Sequence, residues 1–216
     1  MRNTLYIQIS VSDEQKQYAR QLVEHSLRHH KIANIWDHQS DRIAQTRMMR
    51  YTGSLGEIVF ADTYHLPRPL KSFGAKDGQD WGQDFIITSE QHSFSLDIKS
   101  MKRQNGNLSA TYVLNIPALQ LHKPDSKTSH YFCISFHQTN TGSTIASLLG
   151  FIDKHALELG EVGTLYKKGT ERIRQDKSSF IFHDDTYEIL LGDIEPPVIT
   201  DWIRGLKGFQ ICYLRI

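Results

Sequence analysis

The chain has 216 residues, 23% of them charged and 39% apolar, and a formal net charge of +1. That size supports a full hydrophobic core, and the composition excludes a disordered, fibrous or disulfide-scaffold protein. Near-neutrality also excludes a global electrostatic pull on nucleic acid, so any nucleic-acid face must be a local patch offset by acids elsewhere.

The two cysteines, Cys133 and Cys212, lie in apolar, strand-like settings and read as free thiols rather than a disulfide or a zinc pair. No apolar run approaches membrane-spanning length and the N-terminus lacks a signal-peptide pattern, so the expected location is cytoplasmic.

Taken in order, Leu5, Ile7 and Ile9 alternate with polar residues and predict an opening strand over 4–10. Ser12-Asp13-Glu14-Gln15 is a capping-box start for a helix to about Lys31, with Tyr18 and Leu22 on its buried stripe. His25, His29 and His30 invite a metal reading, but with no acidic or cysteine partner nearby a solvated helix end is the stronger one. Residues 33–41 look like a connector. Arg42, Arg47 and Arg50 then form a basic stretch, either a solvated face or a set of phosphate contacts. A helix is expected from Gly53 to the stop at Pro67 and Pro69, buried on more than one side through Leu55, Ile58, Val59, Phe60 and Ala61. Glu57 sits amid that run. It needs a cationic partner, a metal or Lys99, unless it lies wet in the first turn of the helix. Residues 71–83, rich in Gly, Asp and Lys, read as a loop in which Asp77 and Asp80 are substitute ligands and Trp81 an anchor.

Asp84 to Thr88 and Ser93 to Lys99 are two apolar-rich segments around a short polar break, the pattern of a β-hairpin. Counting outward from Thr88 opposite Ser93 sets Phe85 against Leu96 and Ile87 against Phe94, giving one apolar face. Asp84 then falls opposite Asp97, with Cβ atoms about 5 Å apart, and Lys99 follows on that same face. Two carboxylates so close call for a cation between them, and a hard oxygen-binding ion such as Mg²⁺ suits them. A lysine beside such a site orients an attacking water or offsets phosphate charge, which is equipment for metal-assisted phosphodiester hydrolysis. The alternative is a solvated strand face with a surface ion pair.

Asp84, then Asp97-Ile98-Lys99, with Glu57 on a preceding helix, resembles the PD-(D/E)xK (restriction-endonuclease-like) nuclease superfamily over roughly residues 53–152. Gln83 stands where that motif often has proline, a position where proline is frequently absent. The resemblance implies an α/β (α+β) fold: a mixed central β-sheet flanked by helices in one domain, with residues 1–50 and 160–216 as additions to the core. It implies a metal-dependent endonuclease cutting DNA, preferably duplex, to 5′-phosphate and 3′-hydroxyl ends, with Mg²⁺ as cofactor and Mn²⁺ able to substitute. Asp84 and Asp97 would be metal ligands, Glu57 a ligand directly or through water, and Lys99 the catalytic lysine. Restriction, repair and mobile-element roles all fit such a core, and a two-strand cutter would naturally act as a homodimer. The competing reading is a non-catalytic nucleic-acid-binding or assembly protein that keeps the fold.

Past the hairpin, Lys102 and Arg103 add cations that either hold the cleaved strand's phosphates or solvate a loop. Residues 110–116 predict a strand, with Pro117 opening a short helix through Gln120. Tyr131 to Phe136 is dense enough for the sheet centre, and Ser143 to Ile152 is its expected neighbour. Asp153 caps a short helix to Leu159. Residues 160–178 turn polar and basic and read as an exposed loop. Strands are expected over 180–182 and 187–191. A helix with Val198, Ile199, Trp202 and Ile203 inward should follow Pro196-Pro197, and a closing strand should run over 211–216.

Overall fold

Alternating apolar residues make β1 (Leu5–Ser10), and the capping box starts α1 (Asp13–His29). Ser12 Oγ accepts from the Gln15 amide at 3.1 Å, while Gln15 Oε1 accepts from the Ser12 amide at 2.9 Å, so both orphan donors are satisfied reciprocally. The computed structural model describes residues 5–29, 43–70, 84–88, 93–123, 126–173 and 179–216. The remaining described elements are α2 (Ile43–Thr63), β2 (Phe85–Thr88), β3 (Ser93–Lys102), β4 (Val113–Pro117), α3 (Ala118–Leu121), β5 (His130–Gln138), β6 (Thr144–Asp153), α4 (Lys154–Leu159), β7 (Thr164–Tyr166), β8 (Glu171–Ile173), β9 (Ser179–Ile181), β10 (Thr186–Leu190), α5 (Asp201–Arg204) and β11 (Gln210–Tyr213).

The fold is mixed α/β. Six strands form the central sheet in the order β11-β1-β6-β5-β3-β2, with β3 and β5 parallel and the other neighbours antiparallel. A smaller sheet, β4-β10-β7, and a ribbon, β8-β9, complete the strands. Strand alternation sends Ile98, Phe132, Ile134 and Leu148 to one face, where they pack with Leu22, Leu55, Ile58 and Phe60 of α1 and α2. The other face carries Tyr131 and Cys133, buried with Ile116, Leu157 and Ile189 from the layer of the small sheet. The molecule is therefore layered as helices, central sheet and small sheet, with a core on each side of β5. Full burial of each such apolar side chain contributes about 1.5–3 kcal/mol, so these two cores dominate the stability.

Several expectations needed correcting. Helix α2 starts at Ile43, ten residues before Gly53, so Arg47 and Arg50 of the basic stretch lie in the first half of the helix that carries Glu57. Gly53 weakens a helix interior by only about 1 kcal/mol, which packing along Leu55, Ile58 and Val59 overrides. From the terminal segments, β1 and β11 join the central sheet, β1 pairing with both β6 and β11. The expected loop over 160–178 contains β7, paired to β10, and β8, paired to β9. The strand expected from Ala110 begins at Val113. Finally, α5 is a single turn capped by Thr200, with Ile203 buried but Val198 and Trp202 exposed, because the turn is too short to present a continuous stripe. The connector over 33–41 and the loop with Asp77, Asp80 and Trp81 lie outside the described residues, as do Arg42 and His30.

Among the described residues no helix is long and apolar enough to cross a membrane. Cys133 is buried and Cys212 half-buried, and both are free thiols, as their settings suggested.

Candidate active site

The hairpin has the register its side-chain alternation dictates: Phe85 faces Leu96, Ile86 faces Ser95, Ile87 faces Phe94 and Thr88 faces Ser93. The ladder ends at Phe85–Leu96, so the expected Asp84–Asp97 facing pair is not part of it, and just before β2 stands Asp84. Its amide donates to Leu96 O at 2.7 Å, closing the β2–β3 ladder. Its carboxylate takes the next step along the edge, with Oδ2 accepting from the Ile98 amide at 2.6 Å. Asp84 thus caps the point where β3 loses its outer neighbour, and its carboxylate is one peptide unit from Asp97.

Asp97 and Lys99 share the face of Tyr131 and Cys133, their neighbours in the parallel β3–β5 register. Lys99 Nζ lies 2.8 Å from Asp97 Oδ2, with side chains only 18% and 19% exposed. The same ammonium lies 5.2 Å from the Tyr131 ring centroid, a cation–π distance. The two charges are thus held mostly out of water by a geometry that strand, ring and partner fix together. Burial pushes the Tyr131 hydroxyl up, with the negative charges of Asp97 and Glu158 adding to the effect. That hydroxyl is buried and has no hydrogen-bond partner among the described residues. Inside a dense apolar strand Tyr131 reads as core, and only the parallel pairing with Asp97 reveals its place beside the charged pair.

Glu57 comes from the other layer. Gly56 lies so close to β3 that a Cβ there would fall 1.8 Å from Ser100 Oγ and 3.3 Å from Ile98 Cγ2. One turn on, Phe60 packs against Phe85 at 5.1 Å and Phe132 at 4.7 Å between ring centroids. Glu57 is half-buried and lies in sequence between these two contacts on α2. Helix α2 packs on the Ile98 face and Asp97 points to the other, so the helix carrying Glu57 and the Asp97 side chain lie on opposite sides of the sheet rather than converging as expected. Gly56, which lets α2 come close to β3, and Ser100, whose buried Oγ has no hydrogen-bond partner among the described residues, were not singled out from the sequence.

The cations divide. Arg47 Nε pairs with Glu24 of α1 at 3.1 Å and Arg50 donates to Ser26 Oγ at 2.9 Å, so both fasten α2 to α1. Lys102 is exposed. Arg103, expected as a phosphate contact, is turned inward. Its guanidinium donates to Val113 O at 2.8 Å and lies 5.2 Å from the Tyr112 ring centroid, and burial draws its pKa down.

Carboxylate oxygens from Asp84 and Asp97 on adjacent strands suit a hard divalent ion in kind. Among the described residues, however, no three His, Cys, Asp or Glu side chains converge as a ligand group. Comparison with family models, with curated proteins and with solved structures finds no match to this chain.

Proposed function

We propose that the chain is a metal-dependent endonuclease that hydrolyses phosphodiester bonds in DNA. The observation that supports the reading is the Asp97–Lys99 pair at 2.8 Å, with the Asp84 carboxylate held 2.6 Å from the neighbouring Ile98 amide. Asp84 and Asp97 would hold Mg²⁺ or Mn²⁺, and the ion would supply charge neutralisation at the scissile phosphate; Glu57, carried by the helix on the opposite side of the sheet, would act only through water or a second ion. Lys99 orients the attacking water and offsets charge building on the phosphate, and its ammonium is steadied for that by the Tyr131 ring. Asp97 and Lys99 are themselves held mostly out of water, 19% and 18% exposed, which strengthens their interaction. Restriction, repair or mobile-element action, and a homodimer for cutting both strands, belong to the same proposal.

One observation favours a second reading, a non-catalytic nucleic-acid-binding or assembly protein. The Asp97–Lys99 pair and the Asp84–Ile98 hydrogen bond satisfy the motif's charged groups within the protein itself. The deciding experiment is incubation of supercoiled plasmid with the purified protein and Mg²⁺ or Mn²⁺. Nicked and linear products that EDTA prevents are expected of the nuclease. Retarded but intact plasmid would favour the second reading.

A further inference from the structure

A cleft of about 750 Å³ opens between α1, α2 and the ends of β3, β5 and β6, on the face of the sheet opposite Asp97 and Lys99. The parallel strands β3 and β5 both deliver their C-terminal ends here, as Lys102 and Gln138, with Lys102 level with Phe136 in the β3–β5 register. Crevices outside the carboxyl ends of parallel strands are where open α/β sheets take ligands, and this volume lies within the range of about 300–1,000 Å³ usual for small-molecule sites.

The lining is divided by chemistry. One wall is the α1 face carrying Asp13, Lys16, Arg20 and Glu24; the other is the α2 face with Arg47, Met48 and Tyr51. Asp13 is satisfied by Lys16 at 3.0 Å and Glu24 by Arg47 at 3.1 Å. Arg20 on the helix wall and Lys102 on the strand floor are both exposed, and neither has an ion-pair partner among the described residues. The acids are thus matched and two cations on opposing sides are left to meet an anion. The same lining holds an exposed Met48 and a half-buried Tyr51, suited to the face of a flat, weakly polar ring.

We infer that this cleft binds a small organic phosphate of the nucleoside monophosphate class, with Arg20 and Lys102 on the phosphate and Met48 and Tyr51 on the base. The site shares no residue with the Asp84–Asp97–Lys99 corner, so it stands whether or not the chain cleaves DNA.

The test is a titration of the ¹⁵N-labelled full chain with deoxyadenosine monophosphate, followed by amide shifts. Deoxyadenosine and inorganic phosphate are titrated in parallel. Saturable shifts centred on Arg20, Met48, Tyr51 and Lys102 are expected, with both partial ligands binding at least about tenfold more weakly, since each lacks half the contacts. R20Q and K102Q, exposed positions whose change leaves the fold intact by circular dichroism, should each weaken binding about tenfold or more, while D97A leaves it unchanged. No saturable shift by about 10 mM nucleotide would overturn the inference, that concentration being weaker than a specific site warrants. So would binding lost in D97A and kept in R20Q, which moves the ligand to the other face. Phosphate binding as tightly as the nucleotide would also overturn it, leaving a simple anion site.

Discussion

Replacing either of two glycines in α2 by alanine offers the sharpest check on how the helix carrying Glu57 is seated. At Gly53 an added Cβ meets nothing within 4 Å, so the change should deliver only the helix-propensity gain of about 0.5–1 kcal/mol. At Gly56 the same gain is opposed by contact with β3. The new methyl would lie 1.8 Å from Ser100 Oγ, 3.1 Å from Ser100 Cβ and 3.3 Å from Ile98 Cγ2. The hydroxyl can rotate away, but Cβ is fixed by the strand, so helix and sheet must part slightly. Overpacking of this kind costs about 1–3 kcal/mol, which makes Gly56→Ala a net loss of about 1 kcal/mol and separates the two variants by about 2 kcal/mol. Urea unfolding at constant m-value reads that gap directly. Ser100→Gly should recover most of it in the double variant, because it removes the atoms in conflict. If Gly56→Ala gains as much as Gly53→Ala, α2 is not pressed against β3 at residues 98–100 and the placement of Glu57 falls with it.

Arg47→Ala, removing a half-exposed ion pair, should change stability by no more than about 0.5–1 kcal/mol, whereas Arg103→Gln should cost about 1–3 kcal/mol through the lost Val113 hydrogen bond and Tyr112 contact; chemical denaturation separates them. The Arg68 guanidinium beside Glu14 holds that carboxyl below its ordinary value of 4.5. A lowered folded-state value means the unfolded chain binds the proton more readily, so this stabilisation is present above pH 4.5 and is lost as pH falls below it. Glu14→Gln should accordingly flatten the acid limb of a stability–pH curve taken from pH 6 to pH 3, and an unchanged limb would remove Arg68 as the cause. Burial raises the Cys133 thiol, so it should resist a thiol reagent in the native protein and react on unfolding, while the half-buried Cys212 reacts sooner; mass spectrometry of the labelled chain reports the order.

The hairpin register was legible because its information is local. Phe85, Ile87, Phe94 and Leu96 can share a face in only one alignment, and a one-residue slip would split that face. The Ser12–Gln15 capping box and the Asp153 cap, which accepts from His155 and Ala156 amides, were readable for the same reason. What escaped depends on distant partners. Nothing near Leu5 says that it will pair with Tyr213, so the meeting of the two terminal strands at one side of the sheet was not readable. The short strands around Tyr166 and Arg172 are held by a stack on Phe182 and an ion pair with Glu188, and a polar, glycine-containing stretch does not announce either. Gly53 looked like a helix start because glycine punctuates, whereas tertiary contacts carry α2 through it. At the site, Asp97 and Lys99 were legible as one face of a strand. The turn of the Asp84 carboxylate into the sheet edge was not, since it follows from an Ile98 amide that only the end of β2 leaves unpaired.

The most direct measurement is plasmid cleavage with Mg²⁺ by wild type, Asp97→Ala and Lys99→Ala, each shown to be folded by its unfolding curve. Both side chains are four-fifths buried against each other, so some loss of stability is expected and must be held apart from loss of activity. Cleavage by the wild type that disappears in both variants, at temperatures where both remain folded, is the expected result and assigns phosphodiester hydrolysis to this strand. Cleavage that persists in both variants would contradict it and remove Asp97 and Lys99 from the chemistry.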